Sequence, residues 1–206
     1  MSETVRKRRS DGERSRSAIL REAAQLATVE GIAGLSIARL AEAVGMSKSG
    51  LFAHFGSKEE LQLATVETAN AVFLEHVIEP AASAPNGLER LRRLSDGFLR
   101  YVQAETFAGG CFFASALAEV DMRPGLVRNR LVAFSEDWLG RLEAAVRDAQ
   151  AEGAIDPAED AGQLAFEVEA ALFLANAQFV VARTPEPIDR ARRALERRLQ
   201  SATKAA

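Results

Sequence analysis

The sequence predicts an all-α chain: an N-terminal three-helix helix-turn-helix domain followed by a larger helical domain. Three observations predict it. Long segments rich in Ala, Leu, Glu and Arg run between sparse Gly and Pro punctuation, and those residues are the strong helix formers. Apolar residues recur at helical spacing in these segments and never alternate with the period of two that a half-buried strand shows. A length of 206 residues with 48% apolar content is enough to bury a core without disulfides or metals.

Residues 1–13 are polar, charged and aperiodic, and are expected to form a flexible basic arm carrying Arg6, Lys7, Arg8 and Arg9. No apolar stretch follows this cluster, so a secretory leader is not expected. A first helix is expected from about Arg14, because Ile19, Ala23, Leu26 and Ala27 share one face, and Gly31 suits its end. Ser36 is a candidate N-cap for a second helix whose stripe is Ile37, Leu40, Ala41 and Val44. Gly45 can stop it in the left-handed region. Ser47 can then cap a third helix from Lys48 to Phe55. Ser57 and Glu60 have capping-box spacing, so a fourth helix should start near Lys58 and run to about Ile78. Beyond it, breakers divide the chain into helices of roughly 87–105, 109–120, 124–152, 157–184 and 187–202, with a turn over Asp121-Met122-Arg123-Pro124-Gly125. The expected divisions are an arm over 1–13, a helix-turn-helix domain over 14–60 and a second domain over 61–206.

Two short helices joined by a tight Gly-containing turn follow the helix-turn-helix plan. An eight-residue helix is too short to be stable alone. Leu51 and Phe55 fall on one face and can anchor it, which leaves Lys48, Ser49 and Phe52 outward beside the small residues Gly50 and Ala53. The N-terminal end of such a helix meets base edges in the major groove. A lysine at that end opposes the helix dipole, a local conflict that an anionic partner resolves. The charge pattern agrees. Net charge is −3, yet residues 1–58 hold ten Lys/Arg against six Asp/Glu, and the remainder sixteen against twenty-three. A basic head on an acidic body suits phosphate binding, which depends on the local patch.

The segment LSIARLAEAVGMSKSGLFAHFGSKEEL, residues 35–61, together with AAQLATVEGIAGLSI before it, resembles the DNA-binding signature of the tetracycline-repressor (TetR) family of bacterial regulators. The motif resemblance covers about the first 65 residues. It implies phosphate contacts from Ser36, His54 and Lys58 and base-edge proximity for Arg39, Lys48, Ser49 and Gly50, with Ser47 at the helix start. One position departs from the pattern: Phe52 stands where the family commonly has a tyrosine whose hydroxyl reaches a phosphate. Phe52 can pack on sugar or a thymine methyl but donates no hydrogen bond.

Nine of the eleven phenylalanines, with Tyr101 and Trp138, lie beyond residue 58. The resemblance implies that this region binds an effector and dimerises. The distinctive stretch GGCFFASALAEVDMRPG points to a pocket near Tyr101, Cys111, Phe112, Phe134, Trp138 and Phe173, and the scarcity of charge there suits a small apolar or aromatic effector. Two C-terminal helices, one apolar over much of its surface and one edged with Arg190, Arg193, Arg197 and Arg198, are expected to form a homodimer seam.

The single cysteine permits no internal disulfide, which fits a cytoplasmic location. The apolar run Ala170 to Ala182 is too short to span a bilayer and contains Asn176 and Gln178, so no membrane partner is expected. His54 has no second ligand at i+3 or i+4. The sequence contains no nucleophile–base pairing, P-loop or dinucleotide fingerprint, so no catalytic residue, cofactor or metal is expected. The reading is a ligand-responsive, sequence-specific DNA-binding regulator, a repressor released from a palindromic double-stranded operator by its effector. The alternative is a helical dimeric protein whose basic head binds another anionic partner.

Overall fold

The computed structural model describes residues 3–119 and 124–203, with side chains from residue 15 onward. Ten α-helices and one π-helical turn follow in order among these residues: α1 (Glu3–Glu30), α2 (Ile37–Ala43), α3 (Lys48–Phe55), α4 (Lys58–Phe73), the π turn (Leu74–Ile78), α5 (Glu79–Ala82), α6 (Gly87–Gln103), α7 (Phe112–Ala118), α8 (Leu126–Ala151), α9 (Ala161–Ala182) and α10 (Glu186–Ala202). The described residues contain one isolated bridge, Ile155 with Thr203.

The head is built from α1 to α3 with the start of α4. Ile19, Leu20, Ala23, Ala24 and Ala27 of α1 are buried together with Leu40, Leu51, Phe55 and Leu61. The expected arm over 1–13 is corrected: from Glu3 onward the backbone continues α1. Elongating an existing helix requires no new nucleus, and most residues there are good helix formers. The side chains of the basic cluster lie outside the described residues, as does the 121–123 part of the expected turn.

Three serines punctuate the head as expected. The hydroxyl oxygens of Ser36, Ser47 and Ser57 accept from the backbone N–H of Arg39, Gly50 and Glu60 at 3.2, 3.1 and 3.1 Å. Each cap satisfies one orphan donor at a helix start and is worth about 1 kcal/mol.

The fourth helical segment runs past its expected end. After Phe73 the hydrogen-bond register widens, with Glu79 N–H donating to the Leu74 carbonyl, five residues back. Pro80 has no N–H and its ring crowds the carbonyl four residues earlier. The π turn accommodates that defect, so the helical path continues through Pro80 to Ala82. α6 lies close against this turn at Gly97, where an added Cβ would sit 3.4 Å from the Val77 backbone.

In the body, α6 packs on α8 and α9, α8 on α4 and α9, and α10 on α9. α9 is the most apolar of the long helices. Its 22 residues exceed the expected apolar run and are long and apolar enough to cross a membrane by length and composition. Packing assigns it to the core instead: Leu164, Val168, Leu172, Ala175 and Phe179 are buried against the body. Its other face exposes Phe166, Leu174 and Val181, the last at 87%.

Candidate DNA interface and effector site

α3 is held from beneath and open above. Leu51 is 0% and Phe55 2% exposed, whereas Phe52 is 56% exposed. The Arg16 guanidinium lies 5.1 Å from the centre of the Phe55 ring, tying α1 to α3. Lys48, Ser49, Phe52 and Ala53 are exposed and Gly50 is half-buried. The Ser47 and Ser49 hydroxyls lie 3.3 Å apart at the helix start. No acidic residue occupies the first turn. The outer face of α3 therefore carries small side chains around Phe52, with one cation, Lys48, at its leading end, a surface suited to groove and phosphate.

The turn before α3 depends on Gly45, whose φ is +66°. A residue with a Cβ is strained in that region.

The flanking residues have partners that sequence reading missed. Arg39 is bound to Glu30 of α1, with Nε donating to Oε1 at 3.0 Å and Oε2 at 2.9 Å, and it also reaches Glu42 at 3.5 Å. The Arg39 side chain holds the Glu30 carboxyl below the ordinary carboxylate range. Lys58 Nζ donates to the Ala33 carbonyl at 2.6 Å, and Gln62 Nε2 to the Ile32 carbonyl at 2.6 Å. Those bonds fasten the turn between α1 and α2 onto α4. His54 is half-buried on α3 beside Phe55. Ser36 is committed to its cap.

In the body the six effector candidates belong to one aromatic cluster. Phe73 is its hub, with ring centres at 5.7 Å from Tyr101, 5.1 Å from Phe134 and 5.2 Å from Trp138, all edge-on. Phe112 contacts Phe113 at 5.3 Å, Phe113 stacks on Phe134, and Phe173 stacks on Phe98 at 6.1 Å. Phe73, Phe98, Phe107 and Phe113 belong to the same cluster and were not among the expected residues. The run Leu61, Thr65, Ala69, Phe73 at i, i+4, i+8, i+12 could have exposed the hub. The rings pack against one another, whereas an open cleft of about 360 Å³ lies elsewhere, between α5, α6 and α8, lined by Ile78, Leu94, Arg90 and Arg141 among others. Cys111 caps α7 inside the cluster, and burial pushes its thiol up to about 11.

Head and body meet along the loop between α6 and α7. Gln25 of α1 donates to the Thr106 carbonyl at 2.9 Å and accepts from Ala108 N–H at 2.8 Å, while Gly109 N–H donates to Thr28 Oγ1 at 3.1 Å. An added Cβ at Gly109 would fall 1.9 Å from the Thr28 carbonyl oxygen. On its far side the loop reaches α9: Cys111 N–H donates to Asn176 Oδ1 at 2.8 Å, and Arg183 binds Glu105 at 2.7 Å.

Residues 19–65 match the family described as bacterial regulatory proteins, tetR family. Residues 87–195, more than half of the chain, match the tetracyclin repressor-like C-terminal domain. The chain belongs to the tetR family. Among curated tetR-like relatives, the HTH-type transcriptional regulator TcmR of Streptomyces glaucescens is 32% identical over 136 residues, covering 63% of this chain and 57% of TcmR. The match thus spans little more than half of that relative. A TetR transcriptional regulator from Chloroflexus aurantiacus J-10-FL superposes with a TM-score of 0.86 at 27% identity, covering 96% of this chain and 100% of that one. AibR, solved in complex with isovaleryl coenzyme A and operator DNA, superposes with a TM-score of 0.71 at 26% identity, covering 87% of this chain and 96% of AibR. Between the two tetR spans lie residues 66–86, which include the π turn.

Proposed function

We propose that this protein is a ligand-responsive, sequence-specific DNA-binding transcription regulator, a homodimeric repressor that leaves its operator when a small effector binds the body. It acts in the cytoplasm as a binding protein and not as an enzyme. The observation that carries the reading is α3, a helix anchored by Leu51 and Phe55 whose outer face offers Lys48, Ser49, Gly50 and Phe52. The tetR relatives named above support it, since one of them was captured with operator DNA and an acyl-coenzyme A together.

Lys48 and Ser49 meet base edges or flanking phosphates, Ser47 presents the helix start, and Phe52 packs on the sugar or on a thymine methyl. Arg39 reaches DNA only by leaving Glu30. His54 and Lys58 lie at the rim of the interface, with Lys58 exchanging the Ala33 carbonyl for a phosphate. Ser36 contributes through its α2 cap. Two copies join through α9 and α10, where the exposed stripe of Phe166, Leu174 and Val181 finds its partner in the second copy. The two α3 helices then enter successive major grooves ~34–36 Å apart on a near-palindrome. The effector occupies the region of Tyr101, Cys111, Phe112, Phe134, Trp138 and Phe173. It acts by binding one head spacing more tightly than the other.

Selecting bound fragments from a random DNA pool at near-physiological salt tests this reading. Enrichment of a near-palindromic site occupied by two chains is the expected result. Enrichment by charge density alone, with binding lost at that salt, favours the alternative of a basic head for another anionic partner.

A further inference from the structure

Among the described residues seven have a positive φ, and five of these are glycine: Gly31, Gly45, Gly56, Gly110 and Gly153. The other two, Glu105 at +51° and Arg183 at +52°, are bound to each other. Arg183 Nη1 donates to Glu105 Oε2 at 2.7 Å, and its Nη2 donates to the Ala108 carbonyl at 2.6 Å. Both residues are exposed, so core packing does not demand the left-handed backbone there. Glycine would adopt it without a Cβ penalty, above all at Arg183, which ends α9. Two strained residues that hold each other point to a role for their contact. An exposed ion pair adds little to stability, which leaves the placement of the loop as what the pair secures.

That loop is the one that holds the head. Gln25 of α1 donates to the Thr106 carbonyl and accepts from Ala108 N–H. Ala108 is thus gripped through its carbonyl by the end of α9 and through its N–H by α1. α4 runs from the head, where Leu61 packs, into the body, where Phe73 packs. A single connecting helix leaves a head free to turn about that helix, and a tie off its axis removes the freedom. Val181, two positions before Arg183, is 87% exposed on the stripe given to the second copy. The tie therefore starts beside the proposed seam and ends on the head.

We propose that Arg183 is a positioning residue for DNA binding: by holding Glu105 and Ala108 it fixes α1 relative to α9, and so sets the separation and orientation of the two α3 helices in the dimer. This rests on the homodimeric regulator reading above and names a residue that determines which half-site spacing the dimer accepts.

The test measures the distance between the two heads in the full-length protein without DNA. Val29, 65% exposed on α1, is changed to cysteine (Val29→Cys) and spin-labelled, while the buried Cys111 stays unlabelled. Double electron–electron resonance should give a narrow distribution of distances. Arg183→Gly should broaden it while the melting temperature holds within a few degrees, because glycine takes the end of α9 without strain. Gln25→Ala cuts the same tie at α1 and should broaden it alike. The double variant should go no further than the wider single one, because the two act in series through Ala108. On the selected DNA site, one base pair inserted at the centre moves the half-sites ~3.4 Å apart. Discrimination against that insertion should fall about threefold or more in Arg183→Gly, with base preference inside each half-site unchanged. Unchanged width in both single variants, additive broadening in the double variant, or weaker binding that follows a lower melting temperature with spacing discrimination kept would each overturn the proposal. Those results leave the dimeric regulator standing, whereas absence of any coupling between the labels would remove the dimer and the proposal together.

Discussion

Arg39 is held by Glu30 of α1, and in the proposed complex DNA would have to take it from that partner. The pair with Glu30 partly neutralises the head's cationic surface. Glu30→Gln removes that competitor, so DNA binding should tighten and its salt dependence steepen by about one counterion; titration of labelled DNA at several salt concentrations checks this. The linkage sign is fixed by the lowered pKa of Glu30. The pair is intact above the ordinary carboxylate range and is lost as pH falls through the lowered value. Cys111 is a second residue whose environment decides its chemistry. Its thiol is 1% exposed and pushed up to about 11 by burial, and thiolate is the reactive form. Native protein at pH 8 should therefore resist iodoacetamide, and alkylation, read by mass spectrometry, should follow only on unfolding. Rapid modification of folded protein would contradict the burial argument.

Among elements, the turn from α2 to α3 depends most on one position. An added Cβ at Gly45 meets no atom within 4 Å, so its φ of +66° is the whole constraint. Asn visits that region at modest cost and a β-branched residue does not. Gly45→Asn should thus keep DNA binding with a small loss of melting temperature, whereas Gly45→Val should lose both; equal behaviour of the two variants would show that the turn tolerates other geometry. The serine caps and this glycine made the head legible in the sequence, because each signal is local to four or five residues. What stayed hidden was non-local. Glu30 with Arg39, Lys58 with Ala33 and Gln25 with the α6–α7 loop join separate elements, and no spacing rule within one helix reports such pairs. The first helix was placed too late because aperiodic charge reads as coil, although helix propagation into residues 3–13 needs no apolar stripe. The effector candidates came together because aromatics beyond the head converge in the core, but Phe73, at the hub, sits on a helix assigned to support the head.

For the whole molecule, the exposed stripe on α9 is the face assigned above to a second copy, and α9 is joined through the α6–α7 loop to α1. Leu174→Glu places a charge in the proposed seam without touching the buried face. It should yield a folded monomer by sedimentation and reduce operator affinity severely, since each head alone holds one half-site; a dimer of unchanged affinity would move the seam elsewhere. The Gln25 clamp and the close contact at Gly109 give the head a second attachment to the body beside α4, through the loop that carries Phe107 and Cys111. The central claim is that α3 reads DNA, and Lys48→Ala tests it most directly. Fluorescence anisotropy on the selected site, beside a thermal melt of the same sample, should show affinity lowered about tenfold or more while the melting temperature holds or rises, because a cation has left the positive end of a helix. Unchanged affinity in a folded Lys48→Ala protein would contradict the assignment of α3 to the groove.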